Sequence, residues 1–420
     1  MPSFDSFYKG IAQSKNIQQG FHNIVNADVH STLGELQCNL ALISESATPN
    51  EACVRAEATN GDVYWFSTTS GKTWKRAVAD ATYSLVNTNA NGAHLGARYF
   101  NGYIYYATTT KLGRYDLAST WSDSFATFTN GASYKPMEEI NLSLFIGDGR
   151  YVASVDNANT FSANALDLPV GQTVTALIGT SYDLLIGTII GTNVRKCKAY
   201  LWDTYSPSWT SEDKINDNGV NCFIDGDGMI FAQIGTSGWI YYWTGGQMKR
   251  FYKLQGITTA HGDQCSTVHN GRPLLANGTK VFSIHRESES FPFAVVQEYT
   301  ATTGTIKSIL SNGSQLLLSN GSNIDKLGTN YAVATIDTPE VRGNAKTITV
   351  DYATIGSGGT IGISTNVDGT GYVAQTSIVD SINAKAYFDG GIGDCNFIQG
   401  RITLTPSGAN NITIKSVNVI

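Results

Sequence analysis

Short apolar strands separated by tight polar corners run along most of this chain, and the corners recur. Asn60-Gly61 (RAEATNGDVYWF), Asn101-Gly102 (GARYFNGYIYY), Asp148-Gly149 (SLFIGDGRYVA) and Ser181-Tyr182 (TALIGTSYDLLIG) each follow one strand and precede another. Asp227-Gly228 (CFIDGDGMIFA), Asn270-Gly271 (TVHNGRPLLA) and Asn312-Gly313 (ILSNGSQLLL) continue the series. The intervals are 41, 47, 33, 46, 43 and 42 residues. Asn-Gly and Asp-Gly suit type I′ turns, whose two central residues both need positive φ. Downstream of the corners lie aromatic-rich strand pairs such as VYWFSTTSGKTWKRA, KAYLWDTYSPSW and WIYYWTGGQMKRF. One hairpin roughly every forty residues, followed by a second, makes a four-stranded unit. A run of such units predicts a β-propeller of about seven blades.

The first unit is offset, with LQCNLALI read as its inner strand, followed by ACVRAEAT, DVYWFST and TWKRA. In five units, the residue five before the corner is small: Gly96, Ser143, Ala176, Cys222 and Cys265; Lys307 departs from the pattern. Small residues belong where inner strands converge on an axis. After about Pro339 the rhythm becomes apolar–polar alternation, with strands expected near Thr347–Tyr352, Thr360–Thr365, Lys385–Phe388, Gly400–Thr405 and Asn411–Val419. That pattern predicts a small antiparallel β-sandwich. The fold expected is therefore all-β: an arm or strap over 1–34, a propeller over 35–338 and a sandwich over 339–420. In the arm, Phe4, Phe7, Tyr8 and Phe21 are spread among polar residues. They are candidates for packing on the same propeller or on a neighbouring subunit.

Composition narrows the class. With 420 residues, 15% charged and 41% hydrophobic, the chain suits neither long disorder nor coiled coil. A net charge of −6 argues against a nucleic-acid or anionic-membrane partner. No window is apolar enough for a transmembrane helix, and the first thirty residues lack the apolar core of a secretion signal. Six cysteines without a CxxC read as reduced thiols.

Catalytic motifs are scarce. Ser67-Thr68-Thr69-Ser70-Gly71-Lys72-Thr73-Trp74 resembles the Asp-box, S-x-D-x-G-x-T-W, of sialidases and other propellers, with Thr69 in place of the Asp. In that family the motif is structural, so Ser67, Thr69, Gly71 and Trp74 mark a braced outer turn. A sialidase would also need arginines, a tyrosine nucleophile and a carboxylate at the axis, and no such arrangement is assignable from the sequence. Glu138-Glu139 reads as a solvated strand entry, and Glu287 and Glu289 as an exposed turn. Asp225, Asp227, Asp213 and Asp217 raise a calcium reading but lack the spacing and distal Glu of an EF-hand. The six histidines show no ligand spacing. Neither GxSxG nor GxxxxGK[ST] occurs. Trp239, Tyr241 and Trp243 alternate on one strand, which suits filler between blades better than a sugar platform. No cofactor, metal or catalytic residue is expected, and nothing reactive is expected at the axis.

The opening NADVHSTLGELQCNLAL, the exit ATIDTPEVRGNAKTITVDYATI and the closing GGTIGISTNVDGTGYV and NITIKSVNVI together resemble β-propeller structural proteins of tailed-bacteriophage virions, particularly tail components. The resemblance covers the whole chain in architecture and the opening and exit stretches in residues. It implies a non-enzymatic, multi-copy tail part, assembled in the host cytoplasm, with other virion proteins and copies of itself as partners. A receptor- or glycan-binding module at a tail tip is the alternative, and a sialidase-like glycoside hydrolase the third.

Overall fold

A computed structural model describes residues 3–4, 21–32, 34–191, 196–226, 228–254, 262–286, 293–342, 347–389 and 395–419. Among them there is no helix. The chain divides into two compact units, one of Ser44–Thr279 with Ala301–Lys326 and one of Met1–Ile43, Lys280–Thr300 and Leu327–Ile420.

The first of these is built from four-stranded antiparallel sheets in chain order. Sheet I holds Cys53–Glu57, Val63–Ser67, Lys72–Arg76 and Tyr83–Thr88. Sheet II holds Gly96–Phe100, Tyr103–Ala107, Lys111–Tyr115 and Trp121–Thr127. Sheet III holds Met137–Ile140, Ser143–Asp148, Tyr151–Val155 and Phe161–Asp167. Sheet IV holds Gln172–Gly179, Leu184–Ile190, Cys197–Trp202 and Ser211–Ile215. Sheet V holds Val220–Gly226, Met229–Ile234, Trp239–Trp243 and Met248–Lys253. A hairpin of Ser266–His269 and Arg272–Asn277 follows. A closing sheet has the order Ser308–Asn312, Gln315–Ser319, Ile324–Tyr331 and Leu40–Ser44.

Of the four Asn-Gly corners, two form the left-handed pair their turn chemistry predicts, whereas at 60–61 and 312–313 only the glycine has a positive φ. Asn101 and Gly102 have φ of 44° and 84°, and Asn270 and Gly271 of 50° and 76°, the left-handed pair that a type I′ hairpin needs. Sheet III corrects the expected register. Its first hairpin turns at Asn141-Leu142, with φ of 51° and 57°, while Gly149 joins the second and third strands. The intervals of 47 and 33 thereby become two of 40. Leucine hides the corner because a left-handed conformation is unfavourable for a residue with a Cβ. Asp148 is no turn residue. Its carboxylate takes Lys135 Nζ at 2.5 Å and the backbone N–H groups of Asn130 and Ala132, all within the fold.

The first unit is also corrected. LQCNLALI is not the inner strand of sheet I, which is Cys53–Glu57; its second half, Leu40–Ser44, completes the closing sheet. The fourth strand of sheet I is Tyr83–Thr88.

Apolar clusters join each sheet to the next. Val54, Phe66, Ala97 and Tyr106 link I to II, and Tyr105, Leu112, Leu144 and Ala153 link II to III. Phe145, Val152, Leu184, Ile186 and Trp202 link III to IV. Leu185, Ala199, Ala232 and Tyr241 link IV to V, and Trp65, Leu310 and Leu317 link the closing sheet back to I. Burying one large apolar side chain contributes about 1.5–3 kcal/mol. Gly96, Ala176, Cys222 and Cys265 are buried as the small-residue register requires, whereas Ser143 opens a second strand. A Cβ on Gly96 would lie 2.1 Å from the Lys135 carbonyl.

One buried carboxylate fastens the junction of the closing sheet and sheet I. Glu45 accepts two hydrogen bonds from Arg76 at 2.8 and 2.7 Å and one from Tyr83 at 2.5 Å, and pairs with Lys326 at 3.2 Å. Burial alone would raise its pKa, but these donors, Arg76 foremost, hold it below the usual glutamate value.

The second unit contains two sheets. One orders Ala27–Asp28, Leu36–Cys38, Ile412–Val419, Thr347–Ile355, Lys385–Asp389 and Ile378–Asp380, with Ser3–Phe4 also paired to Ile412–Val419. In the other, Lys280–His285, Ala294–Thr300, Asn23–Val25, Ala334–Asp337, Phe397–Thr405, Thr360–Val367 and Tyr372–Gln375 lie side by side, and Val341–Arg342 also pairs with Phe397–Thr405. Ile348, Val350, Ile414 and Val417 of the first share one buried cluster with Ile336, Ile361, Ile402 and Leu404 of the second. Phe21, at 1% exposure, sits in that cluster. Phe7 and Tyr8 lie outside the described residues, and of Phe4 only the backbone pairing with Val417 is described.

Candidate functional site at the convergence of the first strands

The first strands of sheets I to V converge on a cavity of about 530 Å³, together with the Ser266–His269 strand and Leu310 of the closing sheet. Seven chain segments contribute: 55–57, 97–99, 137–139, 177–179, 223–225, 263–268 and Leu310. The expectation that nothing reactive gathers at the axis is corrected here, because arginines and acids do gather. Arg55, Arg98, Glu57, Glu138, Glu139, Asp225 and Asp263 all line the cavity. Glu138, expected at a solvated strand entry, is half-buried and takes Arg98 Nη1 at 2.8 Å. The reason is geometric. A first strand has no inner neighbour, so its edge is open to the axis, and long side chains such as Arg55 and Arg98 line the space there.

Asp263 and Gln264 line this cavity just before the Ser266–His269 strand. Gln264 Oε1 accepts the Arg55 N–H at 2.7 Å, while its Nε2 donates to the carbonyls of Arg55 at 3.1 Å and Ala97 at 2.9 Å. The Gln264 carbonyl accepts the Ile309 N–H at 2.9 Å. Arg55 turns its Nε and Nη2 onto the Ile309 carbonyl at 3.1 and 2.8 Å. Arg98 donates to the Met137 carbonyl as well as to Glu138. Inner edges are thus tied across the cavity by side chains that stand in for an absent strand.

Burial dominates the electrostatics. It pushes the Asp263 carboxyl up to about 7, opposed by the Met137 backbone and by Arg55 and Arg98. It pushes Arg55 down to about 10, helped by the like charge of Arg98 and opposed by Asp263 and Glu57. Glu138 is raised by burial against the pull of Arg98. A carboxyl that holds its proton near neutrality beside guanidinium groups, as Asp263 does, is suited to proton chemistry. Here the Arg55 donors are turned onto the Ile309 carbonyl, and Arg98 directs donors at Met137 and Glu138.

The Asp-box-like turn is completed from outside the motif. Thr69 lacks a carboxylate, and Glu51 supplies one. It accepts from the hydroxyls of Ser67, of Thr69 at 2.9 Å and of Ser70 at 2.6 Å, with Lys72 at 3.7 Å. These hydroxyls, with Lys72, lower the Glu51 pKa against the opposing effect of burial. A Cβ on Gly71 would meet the Asn89 carbonyl at 2.0 Å. Trp74 is half-buried, pairs across the strands with Trp65, and packs on the cluster that joins sheet I to the closing sheet.

Other sequence candidates are dispersed. Asp213 accepts the Met248 N–H at 2.7 Å, Asp217 lies near Ser237 and Tyr241, Asp225 is exposed, and Asp227, Glu287 and Glu289 lie outside the described residues. Among the described residues no three His, Cys, Asp or Glu side chains come together as a metal site. His94 is buried against the Ser67 carbonyl, and burial lowers its pKa to about 4. Tyr241 is buried, while Trp239 and Trp243 are half-buried. Sequence reasoning does not single out Arg55, Asp263, Gln264 or Glu51. The one available signal is adjacency: Asp263 and Gln264 precede Cys265, which the small-residue register places at the axis.

On the rim that carries the first-hairpin turns, Leu142, Tyr182 and Tyr205 are 71%, 79% and 80% exposed. Asn141 Nδ2 bridges the Tyr182 carbonyl at 2.9 Å and Thr204 Oγ1 at 3.0 Å, tying adjacent turns together.

No family model and no curated protein matches this chain. Solved structures do. A streptogramin B lyase is similar at 12% identity with a TM-score of 0.53, over 69% of this chain and 97% of that one. A catalytically inactive virginiamycin B lyase from Staphylococcus aureus with quinupristin gives 12% and 0.53, over 69% and 98%. The β-propeller domain of Cps50 (Swd1) from Myceliophteria thermophila gives 10% and 0.51, over 68% and 98%. At these identities the likeness bears on fold alone. It agrees with the repeated four-stranded sheets: the architecture is all-β and of β-propeller type.

Proposed function

We propose that the protein is a non-enzymatic structural component of a tailed-bacteriophage virion, a multi-copy tail part, built as a seven-bladed propeller followed by a β-sandwich. In this reading sheets I to V are the first five blades. The sixth opens with the hairpin of Ser266–His269 and Arg272–Asn277. The seventh is the closing sheet, completed by Leu40–Ser44. The sandwich is the paired-sheet unit around Ile348 and Ile402.

The observation that carries the non-enzymatic reading is the use made of the axial side chains. Gln264, Arg55 and Arg98 all direct donors at backbone carbonyls of first strands. Groups fixed in this way serve the ring rather than a substrate. Purified virions probed for this chain, with electron microscopy of the isolated protein, test the reading. It expects the chain in particles and rings or tubes in isolation. Absence from particles, or a monomer at high concentration, opposes it. Turnover of a sialoside or polysaccharide that is lost on Asp263→Asn would establish the hydrolase alternative instead.

A second reading, a receptor- or glycan-binding module, is favoured by the exposed rim of Leu142, Tyr182 and Tyr205 on tied turns. Exposed apolar groups gathered on one face mark interaction sites. Binding to host cells that is blocked by soluble protein is the measurement for it.

A further inference from the structure

Between sheets IV and V, on the rim that carries Tyr182, lies a groove of about 440 Å³. One wall is the 180–183 turn and the other combines Met229, Ile230 and the 243–245 turn. Its volume falls within the roughly 300–1,000 Å³ of small-ligand clefts. The two walls are braced alike. Thr180 Oγ1 donates to the Asp183 carbonyl at 2.9 Å, and Thr244 Oγ1 donates to the Gln247 carbonyl at 3.0 Å. Asn141 holds the Tyr182 carbonyl from outside. Walls fixed before a ligand arrives lose little entropy on binding.

The lining alternates in chemistry. Tyr182 and Trp243 are the aromatic residues of its lining, and Asp183 is the sole charged side chain among the described residues that line it. A pyranose has the matching pattern, with C–H groups on its faces and hydroxyls at its edge. The faces stack on aromatic rings, and a carboxylate accepts from two vicinal hydroxyls. Polyanions are disfavoured by Asp183 and by the chain's net charge of −6. We infer that this groove is a carbohydrate-binding site for uncharged sugars, with Trp243 and Tyr182 as stacking platforms and Asp183 as the hydroxyl acceptor. The inference rests on the second reading above and gives it a place and a ligand class.

The test titrates the full chain with methyl glycosides and linear oligomers of glucose, galactose and N-acetylglucosamine, read by saturation-transfer NMR and calorimetry. At least one series is expected to bind saturably. Trp243→Ala and Asp183→Asn are each expected to weaken it at least about tenfold, the effect of one lost contact of ordinary strength. Trp243→Phe should restore much of the affinity, and Ile382→Ala, 93% exposed and outside the groove, should leave it unchanged. Circular dichroism separates misfolding from loss of binding. Saturable binding that survives both groove variants but is lost with Arg98→Ala would overturn the groove while leaving glycan binding standing. Absence of binding by every probe, together with host-cell binding that the groove variants leave intact, would overturn the groove and keep the receptor reading. Absence of both would end both.

Discussion

The side-chain amide of Gln264 and the backbone of Arg55 form a two-bond bridge, N–H to Oε1 at 2.7 Å and Nε2–H to carbonyl at 3.1 Å, across 209 residues of sequence. An amide side chain here does what a neighbouring strand does elsewhere in the sheets. Gln264→Leu keeps the volume and removes the bridge, leaving polar backbone without its partner. It is expected to destabilise by about 1–3 kcal/mol, read as a lower urea midpoint with an unchanged slope. A variant as stable as the parent would show that water replaces the amide at no cost.

Beside it, Asp263 makes stability depend on pH in an unusual direction. Its folded carboxyl titrates near 7 because of burial, against about 3.9 in an unfolded chain. Between those values the folded state holds a proton that the unfolded state has released. Its contribution is therefore full below about pH 4 and is lost as pH rises through 7. Asp263→Asn should be close to neutral at pH 4 and more stable than the parent at pH 8, by about 1–3 kcal/mol after allowing for solvent in the cavity. Parallel stability curves for the two proteins from pH 4 to 8 would contradict this.

Glu45 behaves oppositely. Its folded pKa is lowered, so its contribution is present above the unfolded glutamate value of about 4.3 and is lost as pH falls through the folded one. Glu45→Gln leaves Arg76, with a side chain 6% exposed, facing no carboxylate. The expected loss at pH 7 is about 3–5 kcal/mol, measured by chemical denaturation.

The Asp-box consensus suggests that Thr69→Asp would improve the turn. The structure predicts the reverse, because Thr69 Oγ1 lies 2.9 Å from the Glu51 carboxylate and a second carboxylate there would repel it. Thr69→Asp is expected to cost about 1 kcal/mol in the parent, and to recover stability when Glu51→Ala is already present. Additive effects in that double-mutant cycle would refute the substitution of one carboxylate for the other.

Leu142 occupies a left-handed conformation, φ 57°, with 71% of its surface exposed. Leu142→Gly removes the strain and uncovers nothing, so a gain of about 1 kcal/mol is expected. Thermal unfolding measures it, and a destabilised variant would mean that the leucine is covered in a way this chain alone does not provide.

These cases also mark where the sequence is legible. Turns announced by Asn-Gly, as at 101–102 and 270–271, are readable because few other residue pairs tolerate two positive φ values. The Asn141-Leu142 turn is not, since leucine carries no such signal, and the nearby Asp148-Gly149 offers a false one. The strand Leu40–Ser44 looks like the start of a first blade. Nothing local distinguishes a strand that begins a sheet from one that completes a distant one. The C-terminal alternation is plain, and strands stand at Thr347–Ile355, Thr360–Val367 and Ile412–Val419. At the axis, small residues are visible while Arg55, Asp263 and Gln264 are not. Their role comes from partners far away along the chain, and no spacing rule reaches that far. The carboxylate of the Asp-box-like turn escapes for a milder version of the same reason, since Glu51 lies 18 residues before Thr69.

The strand Ile412–Val419 lies between Thr347–Ile355 and Leu36–Cys38, with Leu36 opposite Ile414. Asn411 reaches back over 374 residues to Gln37. At a ribosomal rate of about 5–20 residues per second, the early strand waits on the order of twenty to seventy seconds for its neighbour. During that interval it offers an open ladder edge to any passing chain. On a crowded polysome the nearest suitable edge-seeker is the late strand of another copy, which makes exchange of this strand between nascent molecules the misassembly to look for first.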